Sequence, residues 1–244
     1  KPVLRGRDIK RYYYKWAGLW IILAKFGFYK EANLYPSLVK HLSKYEKQLK
    51  NRGQCKYSRG AKKEVNKDFV GQHHWLELDN NPKNDYLKEF EKEKIVFSRI
   101  LKSPQFAYDN KGFYTEATSY ILTGENIKYL IALLNSPVIY WFFYKFYSGG
   151  GIDGEIKIYK IQQLPIPKIP EDQQRPFIDL VDKILELTSK PDYETNPTLQ
   201  QKVNEYSSQI DQLVYQLYNL TDEEIERIER KIKKETDNNI VQEL

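Results

Sequence analysis

The chain has 244 residues, enough to bury one large core or two smaller ones, and 41% hydrophobic with 14% aromatic residues exclude a disordered segment. Charge is unevenly spread behind a formal +6: residues 1–67 hold 18 Lys and Arg against 4 Asp and Glu, whereas residues 171–244 hold 9 against 17. A basic block of that density attracts a polyanion rather than a neutral ligand. The longest uncharged run, residues 129–144, is shorter than the roughly 20 apolar residues of a membrane helix, so a soluble protein without a membrane partner is expected. A lone cysteine, Cys55, forbids an internal disulfide and points to the cytoplasm. No signal peptide is read, and a start at Lys1 rather than Met fits a fragment of something larger.

In chain order, Gly18–Phe28 is rich in β-branched and aromatic residues and is predicted to be a buried strand. Residues 35–53 are predicted to form one helix, with Pro36 in its first turn, Gly53 as its stop, and Leu38, Leu42, Tyr45 and Leu49 on an apolar face. Lys40, Lys44 and Lys47 fall on a second stripe, and Gln54–Gly71 is predicted to be a loop. Strands are expected at 94–101, 106–109 and 113–122, the last two joined as a hairpin through Asn110-Lys111-Gly112. A helix follows with Ile127, Leu130, Ile131 and Leu134 inward, and Pro137 opens a second, apolar nearly all round and expected to be buried. The aromatic cluster Tyr140–Tyr144 reads as core rather than ligand pocket. The glycine run 148–154 is left open between a plain loop and a close backbone approach to a ligand, and 155–161 is predicted to be a short strand. Pro165, Pro167 and Pro170 mark a boundary. Helices follow, with Phe177, Val181 and Ile184 on one face and Val203, Ile210, Leu213 and Leu217 on another. Thr221 and Glu224 read as a capping box opening the last helix, with Ile225, Ile228 and Ile232 inward.

The segments KPVLRGRDIKRY (1–12), YPSLVKHL (35–42), GQHHWLELDNNP (71–82), KIVFSRI (94–100), YLIALLNSPVIYWF (129–142), LPIPKIPEDQQ (164–174) and IDQLVYQLYNLT (210–221) carry a resemblance. Their order is similar to the C-terminal specificity domain of TaqI-like adenine-N6 DNA methyltransferases, above all the single-chain type IIG restriction–modification enzymes. The last two segments also resemble type I specificity subunits, where a proline-rich boundary leads into spacer helices. The resemblance implies an α+β target recognition domain with a mixed sheet over 1–169, which reads double-stranded DNA, and a helical spacer or docking segment over 170–244. It also implies a parent methyltransferase domain, linked or associated, that binds S-adenosylmethionine, in a bacterial or archaeal cytoplasm; Mg²⁺ would serve any nuclease of the parent. The family's catalytic Asn or Asp, Pro, Pro, aromatic signature is missing: Asn81-Pro82-Lys83 and Asn196-Pro197-Thr198 do not fit it. This chain alone is therefore expected to bind DNA without a cofactor and to catalyse nothing.

For the DNA contact, the loop 50–67 offers Lys50, Arg52, Lys56, Arg59, Lys62, Lys63 and Lys67, with Tyr57 between them. Flexible lysines suit phosphates and arginine forks suit guanine edges, so Arg52 and Arg59 are the expected base readers; the competing reading is a solvated loop. Arg5, Arg7, Lys10 and Arg11 either hold phosphates or help attach a catalytic domain, with Asp8 pairing a neighbouring arginine. His73 and His74, on opposite faces if extended, are expected to make polar contacts to DNA or to fill a satisfied structural role, with no joint metal site, and Cys55 and His41 are remote in sequence and add no ligand spacing. Glu155-Ile156-Lys157 resembles half of a Mg²⁺ nuclease pattern but lacks an upstream acid, and 148–157 fails as a P-loop. The alternative to DNA recognition is an interaction module whose basic face docks an acidic protein.

Overall fold

The computed structural model describes residues 1–56, 69–100, 103–147 and 158–241, with side chains up to Lys233. The chain divides into two compact units, Lys1 with Ile21–Lys88 and Pro2–Trp20 with Glu89–Leu244. About 52% helix against 11% strand makes this an α+β fold in which helix dominates.

In the second unit the chain begins with β1 (Val3–Leu4), and the segment that follows does not become the predicted buried strand. Gly18 and Gly27 both adopt positive φ, +72° and +94°, a region open to glycine at little cost, and these turns bracket the segment. Leu19, Trp20 and Phe26 are exposed, and Ile21 finds a ladder partner only in Lys1.

The first unit carries α1 (Pro36–Ser43), α2 (Glu46–Lys50) and α3 (Gly53–Lys56); α4 (Asn84–Glu89) crosses the unit boundary. Pro36 opens α1 as predicted, but the single helix breaks into three pieces. None of the three has a buried residue, so no packed face holds the pieces in line. Arg52 Nε donates to Leu49 O at 3.0 Å and satisfies a terminal carbonyl of α2, which is why Gly53 starts the next turn instead of ending the helix.

Residues 71–82 form no strand. They are held irregular by side chains that bind backbone: the buried Glu77 carboxylate accepts from Gly27 N at 2.6 Å and His74 N at 3.0 Å, and Asn81 Oδ1 accepts from Phe26 N at 3.1 Å. Gly71 passes so close to α3 that a Cβ there would lie 2.2 Å from Gln54 O. No other residue fits that position.

The second unit is built on the antiparallel sheet β3 (Phe106–Asp109), β2 (Lys94–Ser98), β5 (Ser119–Thr123), with β1 pairing parallel to β4 (Tyr114–Thr115). Tyr12 adds a parallel bridge to Ala107 of β3, so parallel and antiparallel pairing meet in this unit, as expected of a mixed-sheet domain. The turn at 110–112 forms with Gly112 at φ +73°, but the predicted hairpin across it does not. Asp109 accepts from Lys111 N and Phe113 N, both at 3.0 Å, and turns the chain toward β1; the second half, β5, pairs with β2.

Lys94 to Phe97 are all buried because both faces of the sheet are covered. Ile95 and Phe97 belong to the main core, and Val96 packs in a smaller one with Leu4, Ile9, Ala107 and Phe113. On that second face Lys94 stands opposite Asp109 in register, both at 0% exposure, with Nζ 2.5 Å from Oδ2. Tyr14 Oη donates to Asp109 Oδ1 at 2.9 Å, and Lys94 Nζ also donates to Phe90 O at 2.5 Å.

The main core is helical: α5 (Ile127–Leu134), α6 (Pro137–Tyr147), the short α7 (Ile158–Ile161), α8 (Glu171–Thr188), α9 (Pro197–Leu217) and α10 (Asp222–Val241). Residues 158–161 are helical where a strand was expected; the rest of that stretch and the glycine run 148–154 lie outside the described residues. Pro137 starts α6 as expected, yet the helix buries Val138, Ile139, Tyr140 and Phe143 and exposes Phe146, so it is covered on one side only. Among the described residues no single helix is long and apolar enough to cross a membrane; α5 and α6 together are, but bend by 66°. Asn196 caps α9 through Thr198 N and Leu199 N, Asn219 at φ +51° closes it, and Thr221 and Glu224 form the predicted box ahead of α10. The proline run packs too, Tyr129 Oη donating to Pro167 O and Tyr218 Oη to Pro165 O, so the helices beyond it share one core with the sheet.

Removing one partner of a buried ion pair strands the other charge. Asp109→Ala is expected to cost about 3–5 kcal/mol in urea unfolding, whereas the double variant Lys94→Met/Asp109→Leu should recover most of that stability. A single variant as stable as the parent would show the pair to be dispensable.

Candidate nucleic-acid interface

Charge segregates by unit. Lys1 with residues 21–88 carries 15 Lys and Arg against 7 Asp and Glu, a net +8, and the remainder carries 24 against 26, a net −2. The excess of positive charge therefore belongs to the first unit.

Within that unit Lys56 is exposed at the end of α3, and Lys50 is exposed, paired with Glu46 one turn away at 2.5 Å. Such a pair in solvent is weak and leaves Lys50 available. Arg52, expected to read a base, has its fork committed inside the protein. Nε bonds Leu49 O, Nη2 bonds Trp75 O at 2.9 Å and Glu77 O at 2.7 Å, and Nη1 faces Asp79 Oδ1 at 2.9 Å. It braces the 71–82 loop and has no fork left for guanine. Tyr57, Arg59, Lys62, Lys63 and Lys67 lie outside the described residues.

His73, expected to touch DNA, is only 1% exposed and sits under the ring of Phe26 at 5.3 Å, so it cannot reach a groove. His74 is half-buried; its ring stacks on Tyr29 at 4.9 Å and its Nδ1 accepts from Leu76 N. A pocket of about 460 Å³ opens beside these residues, lined by Lys50, Cys55, Lys56, His74 and Trp75 among others. Burial raises the Cys55 thiol above its ordinary pKa, partly offset by the nearby Arg52 guanidinium.

The lysine stripe Lys40, Lys44 and Lys47, absent from the expected contacts, is exposed on α1 and α2 and forms no ion pair among the described residues. Its spacing was the available signal.

The amino-terminal block lies on the second unit, and most of it is consumed there. Arg5 grips Asp8 through Nε and Nη2, the latter at 2.7 Å. Burial opposes the charge on Asp8, but the Arg5 bonds outweigh it and hold the carboxyl below its ordinary pKa. Arg11 Nη2 donates to Asn135 O at 2.8 Å and to Asp211 at 3.4 Å, and Lys15 pairs with Glu194. Tyr13 meets Tyr193 edge to face at 5.1 Å. The expected pairing of Asp8 with a neighbouring arginine is thus present, and Arg5 and Arg11 are structural. Arg7, exposed, and Lys10, half-exposed, have no ion pair among the described residues.

Asn135 went unread in the sequence although it lies in the resembling segment. Fully buried, its amide accepts from Phe106 N at 3.0 Å and donates to Phe106 O at 2.9 Å, extending the pairing that Tyr12 makes along the outer edge of β3.

Burial pushes Asp211 up to about 6, with Arg11 offsetting only part of the cost. A carboxyl raised in the folded state holds its proton more tightly there, so its contribution is favourable at low pH and is lost as pH rises through about 4 to 6. Asp211→Asn is expected to raise stability at pH 7 by on the order of 2 kcal/mol and to flatten the slope between pH 4 and 6 in thermal melts. A lower melting temperature at pH 7 would mean that the Arg11 attraction outweighs burial.

No curated protein matches the chain. The family model described as the TaqI-like C-terminal specificity domain matches residues 1–166, from the amino-terminal arm to the proline run. With that much of its length matched, the chain belongs to the family of TaqI-like C-terminal specificity domains, the DNA-recognition modules of restriction–modification enzymes.

Proposed function

We propose that this chain is the target recognition part of a site-specific adenine-N6 DNA methyltransferase of the single-chain type IIG kind, and that its first unit grips the duplex. The net +8 of that unit carries the reading. Exposed lysines release counterions when they meet phosphates and supply affinity without sequence preference. Lys40, Lys44, Lys47, Lys50 and Lys56 take that role on the described surface, joined by Lys62, Lys63 and Lys67. Base reading is assigned to Arg59, the arginine remaining in the lysine-rich segment once Arg52 is committed. Methyl transfer and S-adenosylmethionine binding fall to a methyltransferase domain joined to or associated with this chain, together with any Mg²⁺-dependent cleavage. In the same proposal the division at residues 169 and 170 is functional: residues 1–169 recognise DNA, and 170–244 brace that domain and dock its catalytic partner.

In fluorescence titrations with short duplexes, binding should weaken steeply as salt rises. Lys40→Ala/Lys44→Ala/Lys47→Ala should weaken every duplex alike and flatten the log–log salt slope by about 2–3, roughly 0.9 for each phosphate no longer neutralised. Arg59→Ala should instead change which sequence is preferred. A salt-independent complex, or one displaced better by polyglutamate than by DNA, would overturn the reading in favour of an acidic protein partner.

A further inference from the structure

Three potential metal ligands meet in the first unit although they are remote in sequence. Cys55 comes from α3, and His73 and Asp79 come from the irregular 71–82 loop; one ligand atom from each lies within 4.8 Å of the others. The expectation that Cys55 offers no ligand spacing holds along the chain and fails in space, because Gly71 lets the loop lie against the backbone of α3.

The hydrogen bonding around His73 is unsatisfied as it stands. Nδ1 is 3.0 Å from His74 O, a group that can only accept, and donates to it in the tautomer that carries its proton on Nδ1. In the neutral ring Nε2 is then a bare acceptor. It faces Asp79 Oδ1, another acceptor, at 3.2 Å; Nε2 is buried without a hydrogen-bond partner, and Oδ1 has the Arg52 guanidinium 2.9 Å away on its other side. Two lone pairs aimed at one another in a buried site repel unless a cation lies between them.

The surroundings match a metal ligand's requirements. A ligating histidine commonly donates its other N–H to a carbonyl, as His73 does to His74 O, and a ligating carboxylate is itself held by a donor, as Asp79 is by Arg52. Phe26 stacks on the His73 ring and fixes its plane. Cys55 Sγ lies 3.7 Å from Nδ1 of the same ring, and the three ligand atoms lie within 4.8 Å of one another. Tetrahedral zinc with bonds of about 2.0–2.3 Å sets its ligand atoms about 3.3–3.8 Å apart, so closure needs only small side-chain movements.

We propose that Cys55, His73 Nε2 and Asp79 form a Zn²⁺ site, with a water from the adjoining pocket as fourth ligand. A thiolate, an imidazole and a carboxylate together suit zinc, whereas magnesium and calcium prefer oxygen alone. Coordination replaces the thiol proton, which leaves to solvent as the Zn–S bond forms. The metal clamps α3 to the 71–82 loop, at the two ends of the lysine-rich 57–68 segment. The site stands independently of the DNA reading.

Cys55 is the chain's sole cysteine, so thiol chemistry reads the site directly in the unaltered protein. In full-length chain stripped by chelator, one equivalent of Zn²⁺ is expected to slow iodoacetamide alkylation of Cys55 roughly tenfold or more, and chelator to restore the rate. Co²⁺ should give a sulfur-to-cobalt charge-transfer band with tetrahedral d–d absorption. His73→Gln and Asp79→Asn should weaken protection by roughly tenfold or more, while His41→Gln, on exposed α1, should leave it intact. An alkylation rate indifferent to Zn²⁺ would overturn the site. So would a cobalt complex without the sulfur band, or protection unchanged in both ligand variants. Should His73→Gln fail to fold, the cobalt spectrum of the unaltered chain decides the matter alone.

Discussion

The second unit depends on the ion pair sealed between Lys94 and Asp109. Charges at 0% exposure are tolerable only when paired and hydrogen-bonded, and these two meet that condition through Tyr14 Oη, Phe90 O and the N–H groups of Lys111 and Phe113. Each partner lies in a different part of the chain. The pair therefore fixes several things at once: the β2–β3 register, the turn that sends β4 to β1, and the seat of the amino-terminal arm. An apolar pair of the same volume would bind these elements as tightly but would not specify which polar groups must meet.

The arm shows how charge is divided between holding the fold and meeting a partner. Counted along the sequence, residues 1–67 look like one continuous basic surface. In space Arg5 is held by Asp8 within the arm and Arg11 by Asp211 of α9, while Lys15 meets Glu194 in a more exposed pair. Arg7 and Lys10 on the arm form no ion pair among the described residues, and the larger basic excess lies on the first unit, where short helices without a buried residue display lysines to solvent. A weakly packed display is suited to a polyanion, because phosphate contacts need reach and charge more than rigid geometry.

Long periodic elements were legible in the sequence. The inward faces of α5, α8 and α9 and the capping box of α10 follow from spacing, because helices that share a large core must present regular apolar faces to it, while β2 is legible as a short apolar run. The first unit was not legible in this way. Its 18–28 segment looks strand-like by composition, but glycines at both ends and the lack of a long partner strand leave it irregular. Arg52 and His73 have residue types suited to DNA, and nothing local reveals that one is clamped by three carbonyls and the other buried beneath Phe26. Asn135 was equally silent: a polar residue between a helix and a proline reads as a cap, and its role at the edge of β3 depends on a strand 29 residues earlier.

These failures share one cause, and it bears on how a recognition surface can be built. Where regular structure is scarce, the backbone's donors and acceptors must be satisfied by side chains, so Glu77, Asn81 and Arg52 bind main-chain groups that a sheet would otherwise pair. Side-chain bracing of this kind has no period, and sequence patterns cannot reveal it. It does let an irregular surface keep a definite shape, and it confines that requirement to a few positions such as Gly71 and Glu77. The exposed residues between those positions are then free to differ without loss of fold, which is what a module that reads different DNA sequences on one scaffold requires.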